Sequence, residues 1–197
     1  MADDIIKSAR EIAMEKVEKL GQATEEERLG WKYSPEGETL AGKYLKDEAN
    51  LVAELGKYEE NVKKYVISGA AEILTRNIDL PRNEAAKKNN RRAMDGLKIL
   101  KNDKVGVENV FSKIRYVFNH FEEEGEKQRQ QAYQSLKAEM EAKIQQAMQQ
   151  QMSPMMGNID VEKQPQFQQE WRKTQYQLDS AYLGHLNDYK HELSEIK

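Results

Sequence analysis

The sequence predicts an all-α fold: an elongated helical bundle with long, coiled-coil-like helices over about 35–77, 107–152 and 165–197, and shorter helices elsewhere. Three observations predict it. Apolar residues recur at three- and four-residue spacing through most of the chain, and no stretch alternates as a half-buried strand does. Charged residues make up 33% of the 197, yet 31 Lys and Arg against 34 Asp and Glu leave a net charge of only −3, the balance of solvated helix faces of mixed sign. With four prolines and eleven glycines, the chain is too poor in turn residues for a β-protein.

The elements follow in order. Asp3 or Asp4 can cap a first helix over about 4–20, whose stripe is Ile5, Ile6, Ala9, Ile12, Ala13, Val17 and Leu20, with Gly21 as its C′ residue. Its cations are balanced by Glu11, Glu15 and Glu18, so packing on the bundle is expected rather than a membrane surface. Thr24 followed by Glu27 is a capping-box pattern for a short helix around 24–32. Ser34-Pro35, a cap residue with proline after it, marks a restart. From there to about Asn77 nothing forces a stop. Leu45, Val52, Val66 and Ile73 lie at multiples of seven, with a second row of Tyr44, Leu51, Tyr58 and Tyr65 beside them, which predicts one rod touching at least two neighbours.

Pro81 ends that rod, because the residue before proline avoids the helical region. A helix over about 82–102 should turn Ala86, Ala93, Leu97 and Leu100 inward. The helix over 107–152 begins strongly apolar (Val110, Ile114, Val117, Phe118, Phe121) and thins after Gly125 into a glutamine-rich arm. After the Pro154–Gly157 turn, a last helix carries Trp171, Leu178, Tyr182, Leu186, Tyr189, Leu193 and Ile196, and should fold back antiparallel. The chain reads as a single elongated domain, with a possible division into a bundle (1–124) and a protruding helical hairpin (125–197).

Several chemistries are excluded. Without cysteine there are no disulfides, thiolate metal sites or thiol nucleophiles. No apolar run approaches the roughly 18 residues of a membrane span, and the acidic start does not read as an export signal, so a cytoplasmic location is expected. His120, His185 and His191 never follow a Glu-x-x pattern, which a helical di-iron site needs. His185, Asp188 and His191 are each one turn apart on one helix, but such a row rarely converges on one ion. Phosphate-binding glycine loops and a nucleophile elbow are missing. No metal, cofactor or catalytic residue is expected, and the chain reads as non-enzymatic.

Two surfaces stand out. Lys87, Lys88, Arg91 and Arg92 form the one strongly single-signed cluster, inside a segment (82–104) of local charge +5. Clustered cations can bind nucleic acid through counterion release, with Asn89 and Asn90 to read base edges, yet no aromatics interleave for stacking. Met148, Met152, Met155 and Met156 gather where the long helix turns over, an adaptable apolar tip suited to a protein partner. Tyrosines at heptad spacing read as the border between core and solvent, ring inward. The expectation is a cytoplasmic adaptor, scaffold or assembly factor, homodimeric because its apolar seams outnumber its intramolecular partners. The alternative is a nucleic-acid- or ribosome-associated factor working through 82–104.

Overall fold

The computed structural model describes residues 23–151 and 160–196, together with Met14 and Gly21. Every regular element among them is helical: α1 (Glu25–Leu45), α2 (Leu51–Leu55), α3 (Glu60–Arg76), α4 (Glu84–Leu100), α5 (Lys104–Gln151), a 3₁₀ turn (Val161–Lys163) and α6 (Pro165–Glu195). The fold is all-α. The expected helix over 4–20 lies outside the described residues.

Helix starts follow local chemistry. Thr24 Oγ1 accepts from the Glu27 amide at 3.2 Å while the Thr24 amide donates to Glu27 Oε2 at 2.8 Å, completing the capping box. Asn50 and Asn83 cap α2 and α4 in the same way, accepting from Ala53 and Ala86. Pro165 occupies the first turn of α6.

Two boundaries correct the sequence reading. Helix α1 runs straight through Pro35 instead of restarting there. Pro35 and Trp31, whose carbonyl loses its usual donor, both lie on the exposed side, so water can take the missing hydrogen bond. The single rod over 35–77 is instead three helices. Asp47 adopts a left-handed backbone (φ 66°) just after α1, and Asn50 caps a new start three residues on. The seven-residue rows survive in part: Tyr44, Leu51 and Val66 meet in one core from three separate segments, with Leu45, Tyr58 and Ile73 packed against it, whereas Val52 of the same rows stands 62% exposed.

Folding back lets α3 lie along α1. Glu26 meets Lys64, Gly30 faces Tyr65, Ser34 faces Gly69 and Gly37 faces Ala70, so the partner numbers climb together and the two helices run in the same direction. A Cβ at Gly37 would land on the Val66 carbonyl oxygen and lie 2.9 Å from the Ala70 nitrogen. One at Gly69 would land on the Ser34 carbonyl oxygen. The two backbones therefore touch, and only glycine fits at either point.

Helix α4 returns against α3, joined through the 77–83 connection. The buried Asn90 accepts from the Asp79 amide at 2.8 Å and donates back to the Asp79 carbonyl, while Asn89 donates to the Asn77 carbonyl at 2.9 Å. Helices α5 and α6 form an antiparallel pair from Lys113–Glu192 through His120–Tyr182 and Tyr133–Trp171 to Lys137–Glu162. The first part of α5 (Val107 to Phe121) and the last third of α6 (Leu186, Leu193) complete the core. From Glu126 to Ala147 no α5 residue is buried, and this part packs on the first half of α6 and on the 3₁₀ turn before it.

Candidate functional site

The predicted basic cluster divides on folding. Arg92 turns inward: its guanidinium donates to the Tyr44 carbonyl at the end of α1, pairs with Asp47 and lies 4.3 Å from the centre of the Tyr44 ring. A cation at a helix C-terminus satisfies carbonyls left open there. Lys88 reaches the same Asp47 at 3.6 Å. Lys87 is held between Glu84 at 2.9 Å and Glu122 of α5, hydrogen bonds that push its ammonium pKa up to about 12. Arg91 makes no ion pair with any described residue; its charge acts on Glu84 at longer range. Three of the four cations therefore serve the fold, and Asn89 and Asn90 are spent on the 77–83 connection.

The division carries a testable consequence. Arg92→Ala should cost about 1–2 kcal/mol, from a lost charged hydrogen bond and ring contact. Arg91→Ala, one residue away, should stay within about 0.5 kcal/mol. Denaturant titration of both variants checks this, and equal losses would contradict the division.

Around Arg91 the antiparallel helices α4 and α5 leave a groove of about 240 Å³. Its floor is Pro81, Met94, Phe111 and Phe118, all buried. Lys98, at 2.6 Å, and Arg115 share the single carboxylate of Glu108 on its far rim, and their hydrogen bonds hold that carboxyl below the usual range. Asp95 and Glu122 are the groove's own acids. Of the floor residues only Phe118 was visible in the apolar stripe; Phe111 and Met94 were missed, because each lies just beside a residue of the row read as facing inward, Val110 and Ala93.

Past the Lys87–Glu122 bridge lies a second polar region. Asp179 of α6 is the one buried acid among the described residues, at 8% exposure. Arg82 donates to its Oδ2 at 3.1 Å, and Arg129 lies 3.6 Å from its Oδ1. Arg129 itself stacks on the Phe121 ring at 4.2 Å and bonds Glu126 at 2.9 Å. This ion set joins α5 and α6 to the connection before α4. Nothing in the spacing of residues 82, 129 and 179 could have signalled it.

Of the methionine tip, Met152, Met155, Met156 and the Met148 side chain lie outside the described residues. The tyrosines behave mostly as border residues: Tyr58 donates to Glu36 at 2.9 Å and Tyr182 bonds His120 Nδ1 at 2.9 Å, while Tyr176 stands 71% exposed. Among the described residues no three His, Asp or Glu converge as a metal site would need, and no helix is long and apolar enough to cross a membrane.

No curated protein and no solved structure matches the chain. Residues 52–195, from α2 to the end of α6, match a family of unknown function, DUF6657, and the chain belongs to that family.

Proposed function

We propose that the protein is a non-enzymatic helical adaptor, scaffold or assembly factor that holds a protein partner in the α4–α5 groove. The observation that carries this reading is the groove itself: an apolar floor of Met94, Phe111 and Phe118 beside the unpaired Arg91. Interfaces of this kind centre on an apolar anchor, with arginine supplying directional hydrogen bonds at the edge. A cavity of about 240 Å³ takes one or two large side chains of a partner helix, not a whole cofactor. We place the protein in the cytoplasm, in keeping with its lack of cysteine, and propose that it works as a homodimer.

The test is affinity capture from an extract of the source cell, comparing the full chain with Arg91→Glu. A protein retained by the parent and lost at least tenfold with Arg91→Glu is the expected result. The same retained set with both baits would overturn the groove assignment. The nucleic-acid reading is weakened by the internal pairing of Lys87, Lys88 and Arg92. It would displace ours if the purified chain carried 260 nm absorbance that left as salt rose.

A further inference from the structure

We propose that the chain's own N-terminal segment, residues 4–20, docks in the groove between α1 and α3 on the side that carries Trp31. This docking is independent of the partner assigned to the α4–α5 groove. Apolar rings and acids share the lining: Trp31, Pro35 and Tyr65 with Glu26, Glu27 and Glu38. Trp31 stands 51% exposed there, and Tyr65 is half-buried against Gly30. A tryptophan left half in water beside a seam of two helices is apolar surface with room for a third.

Connectivity selects the occupant. Segment 4–20 joins α1 through Gly21 to Thr24 alone, and so short a link makes consecutive helices antiparallel neighbours. The Arg28 guanidinium donates to the Gly21 carbonyl at 3.4 Å. Arg28, Trp31 and Pro35 share one side of α1, so the chain enters α1 from the side that bears the tryptophan. As a helix the segment would span about 25 Å, within the roughly 32 Å of α1. Tethering holds it beside the groove at high effective concentration, against which a free partner competes poorly.

Charge and shape select the same occupant. Lys64 is the one cation among the described lining residues, and it already pairs with Glu26 at 3.2 Å, which leaves the groove acidic. On a helical wheel of 4–20, Arg10, Lys16 and Lys19 fall within or beside the apolar stripe, whereas Glu11, Glu15 and Glu18 fall on the opposite face. Antiparallel docking brings Lys16 and Lys19 level with the Glu26–Glu27 end of the groove, and Arg10 level with Pro35, one turn from Glu38. Ala9 and Ala13, in the middle of the stripe, come level with Pro35 and Trp31, so bulk on one side meets small residues on the other. Met14 lies off the stripe on the same wheel, and it is helical and 62% exposed.

The experiment uses the full chain, which has no cysteine of its own. In Ala13→Cys/Ser68→Cys a short bismaleimide should join the two positions within one chain, giving a crosslinked species of monomer mass. Glu11→Cys/Ser68→Cys, at a similar height on the opposite face, should crosslink several-fold less. Equal yields from both pairs, no crosslink in the first, or crosslinked dimers that put a second copy in the groove each overturn the proposal. Trp171→Phe leaves Trp31 as the only tryptophan. Adding Ile6→Asp/Ala13→Asp to that background should move the Trp31 emission to the red and increase its quenching by acrylamide. An emission that does not move overturns the proposal as well.

Discussion

Gly69→Ala is expected to destabilise the protein by about 3 kcal/mol, near the upper end of overpacking costs. The reason lies in what the new methyl group would strike. It meets the Ser34 carbonyl, a backbone atom inside a hydrogen-bonded helix, and not the end of a side chain that could swing away. Helices α1 and α3 must separate to admit it, and the contacts of Ala41, Val66 and Ala70, all fully buried, open with them. Gly37→Ala should behave alike, since its methyl would strike the Val66 carbonyl. Gly42 is the control. It sits in the same helix with nothing near its missing Cβ, so Gly42→Ala should gain about 0.5–1 kcal/mol from helix propensity alone. For a chain of this size about 3 kcal/mol moves the melting temperature down by roughly 6–12 °C. Thermal melts of the three variants decide it. A Gly69→Ala melt within a degree of the parent would show that the helices do not touch at this point.

The glycine contact also shows why the 35–77 region was misread. Heptad spacing records which residues face a core, but not whether the chain between them is straight. Tyr44, Leu51 and Val66 reach one core although three separate helices carry them, and the rows fail only at Val52, which the folded-back chain leaves exposed. The break has little local signature: Asp47 takes a left-handed conformation that asparagine or glycine would have announced, and the Asn50 cap sits in a run without proline. The longer elements were legible because their ends are chemical. Pro165 opens α6 at the expected residue, and α5 starts three residues before its expected position. The site was half legible. A helical wheel shows that Lys87, Lys88 and Arg91 point away from the α4 core, but not that Asp47 and Glu122, far off in sequence, wait there to pair with two of them.

Asp179→Ala is the second large effect, and it bears on how the arm is held. The carboxylate is buried between Arg82, which comes from the connection before α4, and Arg129 of α5. Removing it leaves two guanidinium groups facing one another. Breaking a fully buried pair costs about 3–5 kcal/mol, but Arg82 is 44% exposed and water screens its share, so about 2–3 kcal/mol is expected. Arg82→Ala should cost less, about 1 kcal/mol, because Asp179 keeps Arg129 beside it. In a double-mutant cycle the Arg82→Ala loss should vanish or reverse once Asp179 is gone, giving a coupling of about 1 kcal/mol or more. Independent, additive losses would mean that the ion set does not join the two regions. Coupling without loss of helicity would identify Asp179 as the pin that orients the α5–α6 arm on the bundle.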